Sequence, residues 1–259
     1  MKPGPRIALG FATLALSACA SLPAPNDTPD AVQRAWPEPL QPGSGQIAYR
    51  VDPQASMLQI RVDPEGAMAA LGHSHIIGGP VITGSIVLGP AGDGTDNPPG
   101  NPIGVDLSID ARELDVDRPA WRVAHGLDPD LAASAIDGTR ANMLGERVLD
   151  VDRHPSIDIR SVAVSGPLWL PLVTARIRLR GQVRERVIPV SVRRSEERLE
   201  ASGYLTLLQS DFGMQPFSAA GGALRVADRM EIRFRIVASA QSRVVDIMRI
   251  PIGQEEKRP

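Results

Sequence analysis

The sequence predicts an all-β fold, a barrel or sandwich of antiparallel strands with one short helical insertion. Three observations lead there. The first is period-two patterning: "VDLSIDA" sets Val105, Leu107 and Ile109 against Asp106, Ser108 and Asp110, and "RMEIRFRIVA" sets Met230, Ile232, Phe234 and Ile236 against Glu231, Arg233 and Arg235. Such alternation describes half-buried strands with one wet, charged face. The second is that these runs are short and broken by Gly, Pro and Asp, the punctuation of an all-β domain. The third is that one segment alone carries convincing helical spacing. Aromatic residues make up only 3% of the 259-residue chain, so the core has to be built from Val, Ile, Leu, Ala and Met.

The chain opens on "MKPGPRIALGFATLALSACA". Lys2 and Arg6 form a basic start, and Ile7 to Leu16 is an apolar stretch shorter than the ~20 residues a membrane-spanning helix needs. The segment ends in "LSAC", which looks like the lipobox of bacterial lipoproteins, where the cysteine takes a diacylglycerol and becomes the new N-terminus. Cys19 is the only cysteine and has no intramolecular disulfide partner, so a lipid-attachment role is expected for it. The alternative is an ordinary secretory signal cut nearby. Residues 1–18 are thus expected as a signal peptide and residues 19–45, rich in proline and without apolar periodicity, as a flexible tether. Ala20 rather than Asp follows the cysteine, which points to the outer membrane, with the domain facing the periplasm.

Residues 46–240 form the expected domain. Its strand candidates, in order, are "IAYRVD", "SMLQIRV", "GSIVLG", "VDLSIDA", "IDIRSVAV", "VTARIRLR", "VIPVSV", "LEASGYLTL" and "RMEIRFRIVA". The helix is expected in "DLAASAIDGTRANML", with Asp128 as N-cap, Pro129 at the first helical position and a possible break at Gly138. "DRPAWRVAH" reads as a helix packed over the barrel mouth or as a lid. Gly89 to Pro102 is too rich in Gly and Pro to be regular, and residues 241–259 read as a charged C-terminal tail.

Charge removes some classes of function. The net charge is −2, and without residues 1–18 it becomes 26 − 30 = −4, which argues against nucleic acid as a partner. "QSDFGMQPF" contains the Asp-Phe-Gly of protein kinases, but the glycine loop, catalytic lysine and catalytic-loop signature are missing. No Gly-x-Ser-x-Gly elbow supports a hydrolase. The chain reads as a non-enzymatic protein with no cofactor.

The order of its landmarks resembles the bacterial YceI-like family. The pieces are "YRVDPQASMLQIRV", the Gly-His region followed by "GSIVL", "VDLSIDARELDVD", "MLGERVLDVDRHPSIDIRS", "IRLRGQVRERVIPV" and "LLQSDFGMQPFSAAGGALRVADRMEIRFRIVA". The resemblance implies a lipocalin-like antiparallel barrel of roughly eight strands around an elongated apolar cavity. It also implies export and a ligand with a long isoprenoid chain, the tail of a quinone or a polyprenyl lipid. The chain departs from the family pattern in its two histidines, where common members have one before a Gly-Phe turn, and in its Gly/Pro loop.

Those histidines, in "LGHSHIIGG", are the leading site candidates. In extended backbone His73 and His75 point to the same face. They could be a structural or solvent-facing pair, a polar handle for a ligand head group, or metal or haem ligands in a redox accessory protein. His-x-His supplies two of the three or four ligands a metal needs, and His125 and His154 have no diagnostic spacing to complete the set. Among the functional readings the handle is favoured, because a neutral imidazole both donates and accepts, which suits a quinone oxygen. Phe212 and Phe217 are expected to plug one barrel end, and Ile232 and Phe234 to line the cavity wall. The expected whole is a periplasm-facing, lipid-anchored barrel that binds or carries an isoprenoid lipid or quinone, with the redox accessory, a hydrolase and a partner-binding barrel as alternatives.

Overall fold

Alternating side chains can bury one face of a sheet only if that face curls around a core, and this chain does so. The computed structural model describes residues 36–43, 45–89, 104–167, 169–195 and 197–241. In chain order the strands are β1 (Ile47–Val51), β2 (Met57–Val62), β3 (Pro64–Glu65), β4 (His75–Gly79), β5 (Ile82–Leu88), β6 (Gly104–Asp110) and β7 (Asp115–Val116). Helices α1 (Pro119–Ala124) and α2 (Ala133–Leu144) follow. Then come β8 (Ser156–Ser165), β9 (Leu172–Leu179), β10 (Gln182–Arg194), β11 (Arg198–Leu208), β12 (Ser218–Ala219), β13 (Leu224–Val226) and β14 (Arg229–Ala240).

The antiparallel order β1-β5-β6-β8-β9-β10-β11-β14 closes on itself through the β1–β14 pairing, so the barrel has eight staves. Three staves come in two pieces. Along β14, the register Val51↔Ala238 is followed by Met57↔Arg235, so β2 continues β1 past a six-residue step opposite only three. Buried Ser56 bridges the break: its Oγ donates to Asp52 O at 2.7 Å and accepts from Val237 N at 3.0 Å. In the same way β4 continues β5 and β7 continues β6. The β6–β7 break is a single 3-10 turn, Ala111–Glu113, capped by Asp110 Oδ1 accepting from Arg112 N at 2.9 Å.

The expected inward faces are the observed ones. Leu107, Ile109, Val173, Ala175, Ile177, Leu179, Met230, Ile232 and Ile236 are all buried in one core. Their outward neighbours pair in charge across strands, as in Arg178–Asp158 at 2.8 Å and Arg160–Asp106 at 2.9 Å.

The β10–β11 seam is paired over less than half its length, from Val190↔Gly203 to Arg194↔Leu199. Val190 N donates to Pro171 O on the β9 side, so the nitrogen of Pro189 faces β11 and has no hydrogen to give. Beyond that point the 3-10 turn Ser210–Phe212 fills the seam. Asp211 pairs with Arg186, Arg180 donates to Gly213 O, and Phe212 is 0% exposed.

Both segments in which a helix was expected carry one. The first, α1, comes from "DRPAWRVAH", but it lies against β4 and buries Trp121 and Arg122 instead of covering the barrel mouth. The other helix begins at Ala133 and not at Pro129. Asp128 is spent elsewhere: its carbonyl accepts from Arg122 Nε and its carboxylate from Asp130 N, so the apparent N-cap is a turn. The helix runs unbroken through Gly138.

The tether also needs correction over its described part. Trp36 lies beneath two guanidinium groups, Arg178 at 4.3 Å and Arg160 at 5.4 Å from the ring centroid. Arg160 Nη1 also donates to Pro37 O at 2.6 Å, so this Pro-rich stretch straps the outer wall at β8 and β9. Cys19 and the segments expected as signal peptide and C-terminal tail lie outside the described residues, apart from Gln241.

Candidate ligand-binding cavity

The barrel encloses a cavity of ≈ 550 Å³. Met230, Ile232, Phe234 and Ile236 of β14 all line it, six residue steps from first to last, so its wall runs ~20 Å along the strand at ~3.3 Å per residue. Along the shaft the lining is aliphatic, with Phe234 as its aromatic exception. Gly203 leaves the space that Phe234 uses: a Cβ on Gly203 would stand 2.5 Å from Phe234 Cζ.

The two ends differ. Among the described residues every polar lining side chain, namely His73, His75, Ser134, Thr139, Asn142, Gln209 and Arg225, belongs to the end where β14 begins. That end is built over by α2, the turn Ala69–Leu71 and the small sheet β12-β13-β3. Lining residues there reach solvent, with Leu71 66% and Phe217 46% exposed, which marks the mouth. At the opposite end the lining residues Leu88, Pro171 and Leu199 are buried. Behind them Tyr49, 0% exposed, donates from its hydroxyl to Ser195 O at 3.0 Å and accepts from Arg194 Nε at 3.0 Å. A buried phenol with both hydrogen-bonding roles satisfied makes a stable floor.

His75 opens β4 and is the most constrained polar group at the mouth. Its Nδ1 lies 2.6 Å from Asp117 Oδ2. Asp117 follows β7 with a left-handed φ of 54°, a conformation Asp tolerates better than most residues. Its side chain is fully buried, and its Oδ1 accepts from Ile76 N at 2.9 Å and from Arg122 Nη1 at 2.8 Å. Burial pushes the Asp117 carboxyl up, but the hydrogen bonds from His75, Ile76 and Arg122 outweigh it and hold the group below the usual carboxylate range. An ionised carboxylate only accepts, so His75 Nδ1 carries its proton toward Asp117. On the other side of the ring, Nε2 faces Thr139 Oγ1 of α2 at 3.4 Å.

His73 lies just before β4, exposed, with no hydrogen bond among the described residues; its ring centroid is 6.5 Å from that of His75. Both histidines line the cavity. Ser74 between them is held by Asp63, with Oγ donating to Oδ1 at 2.6 Å. Among the described residues no three His, Cys, Asp or Glu side chains stand close enough to hold a metal ion.

Of the four apolar candidates, Ile232, Phe234 and Phe217 line the cavity. Phe212 does not: it is packed in the core behind the wall, because its 3-10 turn is drawn into the β10–β11 seam. Sequence reasoning missed Asp117, Arg122 and Thr139. "LDVDRP" has no local mark of a buried carboxylate, and its partner lies 42 residues away.

The family described as YceI-like domain matches residues 49–238 of the chain. No curated protein matches it. Among solved structures, BcnA of Burkholderia cenocepacia is similar at 15% identity, with a TM-score of 0.50 over 73% of this chain and 99% of that one. A polyisoprenoid binding domain from Saccharophagus degradans, implicated in plant cell wall breakdown, is similar at 15% identity and a TM-score of 0.50, over 75% and 99% of the two chains.

Proposed function

The chain belongs to the family of YceI-like domains, and from that premise we propose that its barrel binds and carries an isoprenoid-type lipid, a quinone or polyprenyl chain. The tail lies in the shaft and the head group at the histidine end. One observation carries this reading: among the described residues the cavity is apolar along its length and polar at the end where its lining reaches solvent. A long, thin hydrocarbon with one polar terminus has that same distribution. Removing its surface from water contributes ~25 cal/mol per Å², less the cost of ordering a flexible chain. The fold it shares with a domain named for polyisoprenoid binding supports the same ligand class.

In this proposal the protein is a lipoprotein held through Cys19, facing the periplasm from the outer membrane. Binding needs no covalent chemistry, and the reading is that of a carrier, not an enzyme. The test is extraction of the protein purified from its native host with organic solvent, followed by mass spectrometry of the lipids. Isoprenoid analogues added to the emptied protein should raise its melting temperature. Absence of lipid in the extract together with an unmoved melting temperature would defeat the carrier reading.

A further inference from the structure

From the orientation of His75 we infer that the mouth selects a hydroxyl-terminated head group, an alcohol or the reduced hydroquinone, over a carbonyl, ether or ester oxygen. This rests on the carrier reading and specifies the chemistry of its polar end. A free neutral imidazole has one donor and one acceptor and would suit either kind of oxygen. Here the donor is already used. Asp117 takes the Nδ1 proton at 2.6 Å and is itself fixed by Ile76 N and by Arg122, whose side chain is only 4% exposed. When the ring is neutral it therefore turns a lone pair, at Nε2, toward the cavity.

Thr139 Oγ1 stands opposite that lone pair at 3.4 Å, too long for a strong bond between the two. A ligand hydroxyl placed beside this pair, within reach of both atoms, donates to His75 Nε2 and accepts from the Thr139 hydroxyl. A quinone carbonyl or an ether oxygen can accept from Thr139 but sets its own lone pairs against Nε2. His73, the nearest other titratable ring at 6.5 Å, is exposed and adds no fixed donor at that point. For a quinone couple, the reduced form is thus the one the mouth holds better.

The experiment compares farnesol with farnesyl methyl ether, which keep the same tail and differ in the hydroxyl proton, by titration against the delipidated protein near pH 8. Farnesol should bind about fivefold more tightly, the worth of one hydrogen bond. His75→Phe should bring the ratio to one. Thr139→Val should weaken both ligands alike and leave the ratio unchanged, because Thr139 donates to either oxygen. Equal binding of the two ligands to the wild-type protein overturns the inference while the tail-binding reading stands, and this arm needs no variant to fold. If neither ligand binds, both readings fall. A ratio abolished by Thr139→Val but kept in His75→Phe also overturns it, since the selecting group would then be the threonine.

Discussion

His75 Nδ1 and Asp117 Oδ2 stand 2.6 Å apart, and of the two residues only the histidine reaches the cavity. The carboxylate works from behind the wall, tying the first residue of β4 to the end of β7 and to Arg122 of α1. Its loss is therefore felt in stability as well as in the orientation of the ring.

Asp117→Asn should lower stability by ~3 kcal/mol, because it leaves the Arg122 guanidinium buried without its counter-charge. Urea unfolding at pH 7 measures this. The pH dependence has a definite sign. The Asp117 carboxyl is held below its ordinary value in the folded protein, so its contribution is present above about pH 4 and is lost as pH falls through the folded value. The wild-type protein should lose stability over that acid range, and the Asn variant should show a flatter profile there. A variant as stable as the wild type would show that the buried pair contributes nothing.

Ile232→Trp should fill part of the cavity while keeping the wall apolar. Ile232 is 9% exposed and lines the shaft at mid-length, so the indole has empty volume to enter. The expected outcome is a folded protein whose melting temperature no longer rises with isoprenoid analogues. An undiminished shift would place the tail elsewhere.

Gly203→Ala should be costly although the substitution is small. The added methyl would meet the Phe234 ring at 2.5 Å and Pro189 O at 3.1 Å, so ~1–3 kcal/mol of strain is expected. Phe234→Leu in the same chain should recover much of that loss, and a double-mutant cycle by thermal or chemical unfolding reads the coupling. Simple additivity would mean that the ring moves aside freely.

Cys19→Ala should shift the protein from the membrane fraction to the soluble periplasm, because acylation is the proposed means of attachment. Fractionation with immunoblotting decides this, and unchanged membrane association would dismiss the anchor.

The staves of the barrel were legible because each has a wet face. Val173 to Leu179 and Met230 to Ile236 alternate so regularly that burial follows parity. What the pattern could not show was where staves break, since the β1–β2 step depends on Ser56 bonding to Val237, 181 residues on. Helix α2 begins later than the sequence suggests, because the Asp128 carboxylate that imitates a cap before Pro129 is held by Asp130 N. At the site, the two histidines could be named from local spacing, whereas Asp117 and Thr139 reach His75 only through the closure of the barrel. The tautomer of His75, and with it the sense of the head-group contact, depends on that closure.

The strap at Trp36 has a mechanical consequence. In the lipid-anchored form, the leash between Cys19 and Trp36 is 36 − 19 = 17 residue steps, with a reach of at most ~60 Å at ~3.5 Å per residue. A pull from the membrane arrives first at an indole clamped by Arg160 and Arg178 and at the Pro37 carbonyl, on the flank of β8 and β9. It does not arrive at the free end of β1, where force would peel the closing β1–β14 ladder one bond at a time. In the proposed lipoprotein, a load reaching the strap would act on the wall at β8 and β9 and not on the closing β1–β14 ladder.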